Sequence, residues 1–181
     1  MELWDLYTKE REKTGETMRR GDPFPEGLYH LVVHVCIFNQ KGEMLIQQRQ
    51  PFKSGWSNMW DVTVGGSATA GDSSSTAAER ELREEMGLDL SFADRRPSLT
   101  IHFKGGFDDI YLIRHEVEPS ALKLQYEEVQ AVKWANADEI KTMIDGGSFI
   151  PYHKSFIDML FFLLERDGTH TRGDSTKQAK Q

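Results

Sequence analysis

The sequence has 181 residues, and 38% of them are hydrophobic, which suffices for one packed domain and excludes wholesale disorder. Acidic residues outnumber basic ones by 29 to 22, so the net charge of −7 argues against nucleic acid or an anionic membrane as the main partner. The one cysteine, Cys36, excludes an internal disulfide framework, and no apolar run reaches the roughly 18 residues that a membrane helix needs. Because the chain also starts with charged residues, without an apolar signal segment, we expect a cytoplasmic protein with no membrane attachment.

Eight segments carry the alternation or the β-branched composition of strands. Two of them flank a turn at Glu12–Gly15 and predict an N-terminal β-hairpin. The segment from Leu31 to Phe38 is almost continuously apolar, which predicts a buried strand, and the segment after it returns as its partner. The predicted strands cover residues 2–8, 15–20, 31–38, 44–49, 61–64, 99–104, 110–117 and 128–134.

Three segments have helical signals. The strongest covers residues 73–86, since its serines offer N-caps and Gly87 is a natural C-terminal stop. Asn136 and Glu139 form a capping box that starts a short second helix. Apolar residues at helical spacing predict a final helix over residues 151–164.

This order of elements predicts an α/β layered domain, in which an antiparallel or mixed sheet is flanked by helices. We expect a single domain over residues 1–165, with the hairpin occupying about residues 1–22. From residue 166 to 181 the chain is almost entirely polar, which predicts a flexible tail.

The most informative feature is a group of three acids on the first helix. Glu81, Glu84 and Glu85 stand at i, i+3 and i+4 and so share one helix face, where their charges repel. A hard cation such as Mg²⁺ or Mn²⁺ would offset that repulsion, and a bend at Gly65-Gly66 could add a backbone carbonyl of Gly66 as a further ligand. The alternative interpretation, favoured for such a triplet on its own, is a solvated acidic helix.

The residues around the three acids favour the metal site over the solvated helix. Their spacing resembles the Nudix box, G-x5-E-x7-R-E-U-x-E-E-x-G-U with U aliphatic. One position departs from the pattern, since Asp72 stands where the family has glutamate. The resemblance implies the Nudix-type α/β/α sandwich with a central mixed sheet, and hydrolysis of a diphosphate linked to another moiety. The matching residues are Gly66, Arg80, Glu81, Leu82, Glu84, Glu85, Gly87 and Leu88.

Within that superfamily, the chain from the hairpin to about Ile140 is similar to isopentenyl-diphosphate isomerases. Arg49 and Lys53 match the isomerase positions that hold the substrate diphosphate, and a cationic pair before the box is a sensible phosphate clamp. The isomerase cysteine, however, falls at Gly65, and the metal-binding histidine that follows it falls at Ser67. The resemblance therefore favours hydrolysis and leaves an isomerase-like activity or a non-catalytic binding module as alternatives.

For the reaction we expect one to three Mg²⁺ ions, with Mn²⁺ as an alternative, between the box acids and a small diphosphate substrate. Glu84 and Glu85 are the first choices as ligands, Glu81 is a third ligand or the general base, and Arg80 orients Glu84. The identity of the substrate stays open, from nucleoside diphosphates linked to another moiety to other organic diphosphates. A homodimer is possible on the sequence alone and also stays open. Candidate bases outside the box are Asp108, Asp109, Glu127 and Glu128, and candidate pocket aromatics are Trp56, Trp60, Phe107 and Tyr111.

Overall fold

The computed structural model describes residues 2–165 and Thr169, so the polar tail predicted from residue 166 lies outside the described residues except for Thr169. None of the described helices is long and apolar enough to cross a bilayer. The helices are α1 (Ser74–Met86), α2 (Ala137–Asp145) and α3 (Lys154–Glu165). The strands are β1 (Leu3–Tyr7), β2 (Lys13–Arg19), β3 (His30–Phe38), β4 (Met44–Arg49), β5 (Trp60–Asp61), β6 (Val64–Ser67), β7 (Leu99–Phe103), β8 (Gly106–Arg114) and β9 (Val129–Ala135).

Seven of these strands form one mixed sheet, built in two halves. In one half, β3 pairs in parallel with β8 along its whole length, while β6 and β7 add antiparallel neighbours. In the other half, β4 lies antiparallel to β9 and β5. The halves meet where Phe38 pairs with Met44, so the predicted β3–β4 partnership is confirmed only next to the turn.

Thr63 explains why β3 and β4 separate beyond that point. Its hydroxyl accepts a hydrogen bond from the backbone N–H of Ile37 on β3 and donates one to the carbonyl of Leu45 on β4. The single strand predicted over residues 61–64 is therefore wrong, because the chain at Val62 and Thr63 crosses between the two halves and separates β5 from β6.

The helices cover both faces of the sheet, which confirms the α/β/α sandwich. Alternate residues of β3 point to opposite sides, as the period of a strand requires. Val35 and Ile37 pack with Leu82 and Met86 of α1. On the other face, Cys36 and Phe38 belong to the cluster that α2 and α3 complete.

Local signals set the ends of the helices. Ser73 caps α1 by accepting from the backbone N–H of Thr76, and Gly87 ends the helix in the left-handed region at φ 68°. The capping box of Asn136 and Glu139 is present at α2. The start predicted for the last helix is wrong by three residues, because the ring of His153 accepts from the N–H of Ser155 and so caps a helix that begins at Lys154.

The predicted N-terminal hairpin is confirmed, but its turn lies at residues 8–12 rather than Glu12–Gly15. It packs on the same chain through Tyr7, which contacts Phe107 edge-on, and through Trp4, which stacks on His30 at 4.5 Å. At the tip of the hairpin, Arg11 forms two hydrogen bonds with the buried carboxylate of Asp109, at 2.6 and 3.0 Å. The hairpin is thus fastened to β8.

Candidate active site

A cleft of about 620 Å³ lies beside α1 and β6. Its wall includes residues of the hairpin, the loop after β4, and the segments around residues 125–128 and 150–152. The structure therefore brings most of the predicted site residues to one cavity. These are Arg49, Lys53, Gly66, Arg80, Glu81, Glu84, Glu85 and Glu128.

Helix α1 presents its acids to this cleft because its opposite face is anchored in the core. Ala78, Leu82 and Met86 are fully buried against the sheet. The acids differ in burial, since the side chain of Glu84 is 50% exposed whereas Glu85 is buried. The helix thus places one half-exposed and one enclosed carboxylate on the same wall.

Arg80 holds the acids and the preceding loop in one network. Its guanidinium donates to Glu81 at 2.9 Å, to Glu84 at 3.2 Å and to the carbonyl of Ser67 at 3.1 Å. It also donates twice to Asp72, at 3.0 and 3.1 Å. The shorter acid at position 72 therefore still reaches Arg80. The same Asp72 carboxylate accepts from the backbone N–H of Thr69, which fixes the loop.

The environment of the buried acids favours their neutral forms in the absence of a cation. Burial raises the pKa of Glu85 well above its usual range, and the charge of Glu81 adds to that shift. Burial also raises the pKa of Glu81, although Arg80 opposes the change. Glu81 lies against the backbone of Gly66, where an added Cβ would come within 2.3 Å of its Oε1. Only glycine therefore fits at position 66 with Glu81 in this place.

The carboxylate oxygens of Glu81, Glu84 and Glu85 are chemically suited to bind a divalent cation. Carboxylate oxygens are the ligands that Mg²⁺ and Mn²⁺ prefer. Within residues 2–165, Glu85 receives one side-chain hydrogen bond, from Nε2 of Gln47 at 3.0 Å, so this buried acid retains acceptor capacity. As they stand, no three acidic, histidine or cysteine side chains in the described chain are placed so that they could hold a metal ion. Arg80 occupies oxygens of Glu81 and Glu84, so a cation would share or displace that contact.

The loop after β4 brings the two predicted phosphate-binding cations to the cleft. Lys53 pairs with Glu128 at 2.5 Å. Arg49 donates from Nε to the carbonyl of Gly55 at 3.1 Å, which orients its guanidinium without neutralising it. Further along the same loop, Trp56 lines the cleft with 53% of its surface exposed and a backbone φ of 50°, which is rare for a bulky residue.

The structure separates the acids proposed as a base outside the box. Glu128 lines the cleft, whereas the neighbouring Glu127 is exposed and does not. Asp109 is committed to Arg11 and Thr100 on the far side of the sheet, so we drop it as a candidate base. Asp108 contacts the cleft only through His34, whose Nδ1 lies 2.8 Å from its Oδ1.

The predicted aromatic lining is mostly wrong. Trp56 is in the cleft, but Phe107 and Tyr111, which lie on the same face of β8, are buried in the core. Trp60 stacks with the ammonium of Lys133 instead. Aromatic residues on central strands pack in the interior far more often than they line a pocket.

Several cleft residues have no signal in the local sequence. Glu2 and Arg20, from the two ends of the hairpin, pair at 2.8 Å and line the cleft. Gln47 on β4 contacts Glu85 across the core. Asp61 and Tyr152 hydrogen-bond at 2.9 Å at the edge of the same cavity. Gln47 lies within the predicted strand 44–49 and is buried in the structure. A buried glutamine needs a hydrogen-bond partner, so a glutamine in this strand was the one available hint of a contact.

The comparisons with known proteins agree with the box. The model of the NUDIX domain family matches residues 28–170. An uncharacterized Nudix hydrolase of Listeria innocua is 45% identical over 170 residues, which cover 94% of this chain and 99% of the relative. An isopentenyl-diphosphate Delta-isomerase of Photorhabdus laumondii is 27% identical over 134 residues, which cover 70% of this chain and 73% of the relative.

A solved structure supports the fold. A protein from Deinococcus radiodurans superposes with a TM-score of 0.70, and the match covers 88% of this chain and 97% of the other. The two chains are 23% identical, so this likeness bears on architecture alone. The mixed sheet between helices is common to both.

Proposed function

This chain belongs to the Nudix family and is a Nudix hydrolase, and from that premise we propose that it cleaves a phosphoanhydride bond in a small diphosphate compound with the help of a divalent metal ion. The observation that carries the proposal is the Arg80 network, which joins Asp72, Glu81 and Glu84 on the wall of one cleft. We treat residues 1–165 as one Nudix domain for this activity.

We assign the metal to Glu81, Glu84 and Glu85, with the carbonyl of Gly66 as a further ligand. A bound Mg²⁺ or Mn²⁺ ion supplies charge neutralisation at the diphosphate and lowers the pKa of water. The part of the protein is to hold the three carboxylates on a rigid, core-anchored helix, so that they need not reorganise during the reaction.

Arg49 and Lys53 are the residues that we assign to the diphosphate. In hydrolysis the oxygen of water bonds to phosphorus, the bond from phosphorus to the bridging oxygen breaks, and water loses a proton. We assign Glu128 to accept that proton, or Glu81 if it acts as the general base rather than as a third metal ligand. Both lie beside cations, Arg80 and Lys53, which hold their carboxylates in place.

The test is a Mg²⁺-dependent hydrolysis screen, with products identified by mass. The panel holds nucleoside di- and triphosphates, sugar nucleotides, dinucleotides, and isoprenyl and thiamine diphosphates. We expect Glu84→Gln to lower turnover by orders of magnitude with the fold retained, because the half-exposed side chain loses a charge but little packing. Glu127→Gln is the matched control, since this neighbour of Glu128 is exposed and outside the cleft.

Four outcomes separate the hypotheses. A product that disappears in Glu84→Gln and persists in Glu127→Gln supports the hydrolase and identifies its leaving group. Conversion of isopentenyl diphosphate to its isomer, which has the same mass and is therefore followed by proton NMR, would instead support the isomerase-like alternative. Binding of panel compounds without turnover would favour a non-catalytic module, and an unchanged rate in Glu84→Gln would refute the metal assignment.

A further inference from the structure

His34 is a partly buried histidine that lines the cleft and that the proposed chemistry does not use. It lies on β3, and its Nδ1 is 2.8 Å from Oδ1 of Asp108 on the neighbouring strand β8. The ring lines the cleft. Within residues 2–165, Nε2 has no hydrogen-bond partner, although the side chain is only 19% exposed. A carboxylate thus fixes one nitrogen of a ring that lines the cleft and leaves the other nitrogen without a partner in the described chain.

Gly65 makes room for this ring. It pairs with His34 across the β3–β6 ladder. A Cβ built on Gly65 would lie 2.4 Å from Cδ2 and 2.5 Å from Nε2 of His34, a separation that real side chains do not tolerate. The imidazole therefore occupies the space that a side chain at position 65 would fill, and the two positions depend on each other.

The charges around the ring favour its protonated form. Burial alone would lower the pKa of His34, but the hydrogen bond and the charge of Asp108 outweigh burial, and Asp61 and Glu81 add to the upward shift. The other groups that face this region, Tyr152 and Cys36, are neutral, since burial raises the pKa of each well above its usual range. The surroundings of the ring thus raise the pKa of His34, and its carboxylate partner Asp108 is the main cause.

Those acids already have partners of their own. Asp108 is bonded to Nδ1, and Asp61 accepts from the Tyr152 hydroxyl and from the backbone N–H of Val62. Glu81 likewise accepts from Arg80, so a molecule bound in the cleft can supply the acceptor for Nε2. A donor that is desolvated and charged binds phosphate oxygens well, because charge-assisted hydrogen bonds are about twice as strong as neutral ones.

We propose that His34 donates a hydrogen bond from Nε2 to a phosphate oxygen of the bound substrate, and that Asp108 and Gly65 position the ring for this contact. The inference rests on the proposed function, since it takes the ligand to be a diphosphate. It adds His34 as a substrate-binding residue and Asp108 as a positioning residue.

The test uses methylenediphosphonate, a diphosphate that cannot be hydrolysed, with the full chain and Mg²⁺. We expect the Nε2–H signal of His34 in nitrogen-correlated NMR spectra to shift on binding. In calorimetry, His34→Ala should weaken binding about tenfold or more, the effect of losing one charge-assisted hydrogen bond. His34→Gln should recover most of the affinity, because its amide keeps a donor at similar reach, and Asp108→Asn should give an intermediate loss.

A steric variant tests the dependence on Gly65. Gly65→Ala should displace the ring and weaken binding as much as His34→Ala does. The double variant, Gly65→Ala with His34→Ala, should be no worse than either single one and should fold, because the clash is gone. Circular dichroism of all three proteins shows whether they are folded. Additive losses in the folded double variant would contradict the shared space.

The outcomes keep the inference apart from the hydrolase proposal. Binding by the parent protein with no shift at His34 and no loss in His34→Ala overturns the inference alone. Binding through His34 without turnover of any compound in the panel refutes the hydrolase and leaves the inference standing. No binding of methylenediphosphonate at tens of millimolar overturns both.

Discussion

Arg49 differs from the other cleft cations at the scale of single residues. Lys53, Arg80 and Arg20 each pair with a carboxylate. Within the described chain, Arg49 has no acidic partner, and its one side-chain hydrogen bond goes to a backbone carbonyl. Its guanidinium is therefore available to an incoming anion without breaking an ion pair.

We therefore expect Arg49→Ala to raise KM about tenfold and to change kcat little, because it removes binding that substrate and transition state share. Lys53→Ala should have a mixed effect, since it also releases Glu128. Arg83→Ala is the matched control, as this exposed arginine lies on α1 outside the cleft. Steady-state kinetics on the substrate found in the screen measures the separate effects on KM and kcat. A loss confined to kcat would mean that Arg49 acts in the transition state alone.

At the scale of elements, the N-terminal hairpin is attached at both of its ends. Its tip is held by the Arg11–Asp109 pair, in which the carboxylate is 1% exposed. Near the box, Asp5 accepts from the backbone N–H of Gly71 at 2.9 Å, and Lys13 donates to the carbonyl of Asp72 at 2.8 Å. The hairpin therefore supports the loop whose Asp72 orients Arg80.

We expect Asp109→Asn to lower the free energy of unfolding by about 2 kcal/mol at pH 7, a value discounted because Arg11 is partly exposed. Burial by itself would raise the pKa of Asp109, but hydrogen bonds from Arg11, Thr100 and Ser74 lower it below its ordinary value. This stabilisation is complete above the unfolded-state pKa of about 4 and is lost as the pH falls through the lower folded-state pKa. Urea unfolding should show the difference between the two proteins shrinking over that range.

The exposed Asp94→Asn serves as a control for the change of charge, and it should leave stability unaltered at every pH. A deficit in Asp109→Asn that stays constant down to the acid limit would argue against a charged pair. The variant should also keep its hydrolytic rate if it folds, since Asp109 lies outside the cleft.

The elements that the sequence predicted well are those whose signals are local. Helix α1 has its cap at Ser73 and its stop at Gly87, and its acids share a face by spacing alone. The turn of the hairpin was predicted at the wrong residues because the register depends on cross-strand pairs such as Tyr7 with Lys13. No local sequence pattern indicates which residues pair. The broken strand at residues 61–64 was missed for a similar reason, since Thr63 acts by contacting two strands distant in sequence.

The same distinction between local signals and distant contacts applies to the residues of the candidate site. The box acids and Arg80 were identified from spacing, whereas Gln47 and His34 make contacts 38 and 74 residues apart in sequence. The hairpin residues Glu2 and Arg20 line the cleft although they lie far from the box in sequence. Asp109 was misassigned because β8 turns it toward Arg11, and strand alternation alone does not say which buried face meets a cleft.

At the scale of the whole molecule, Thr63 is the link between the two halves of the sheet. It is fully buried, and its hydroxyl satisfies one backbone group on each half. We expect Thr63→Val to lower the free energy of unfolding by about 2–3 kcal/mol, because the same shape leaves a buried N–H and a buried carbonyl without partners. Thr63→Ser keeps the hydroxyl and should cost clearly less. Denaturant titration compares the three proteins, and equal losses in the two variants would assign the effect to packing instead.

The position of Glu2 on the cleft wall has a practical consequence for preparing the protein. Any polypeptide joined ahead of that residue starts next to the cavity, beside Arg20, with which Glu2 pairs at 2.8 Å across the hairpin. A histidine-rich purification tag at this end would bring metal-chelating imidazoles to the entrance of a site assigned to a divalent cation. Assays of metal preference should therefore use protein from which such a tag has been cleaved.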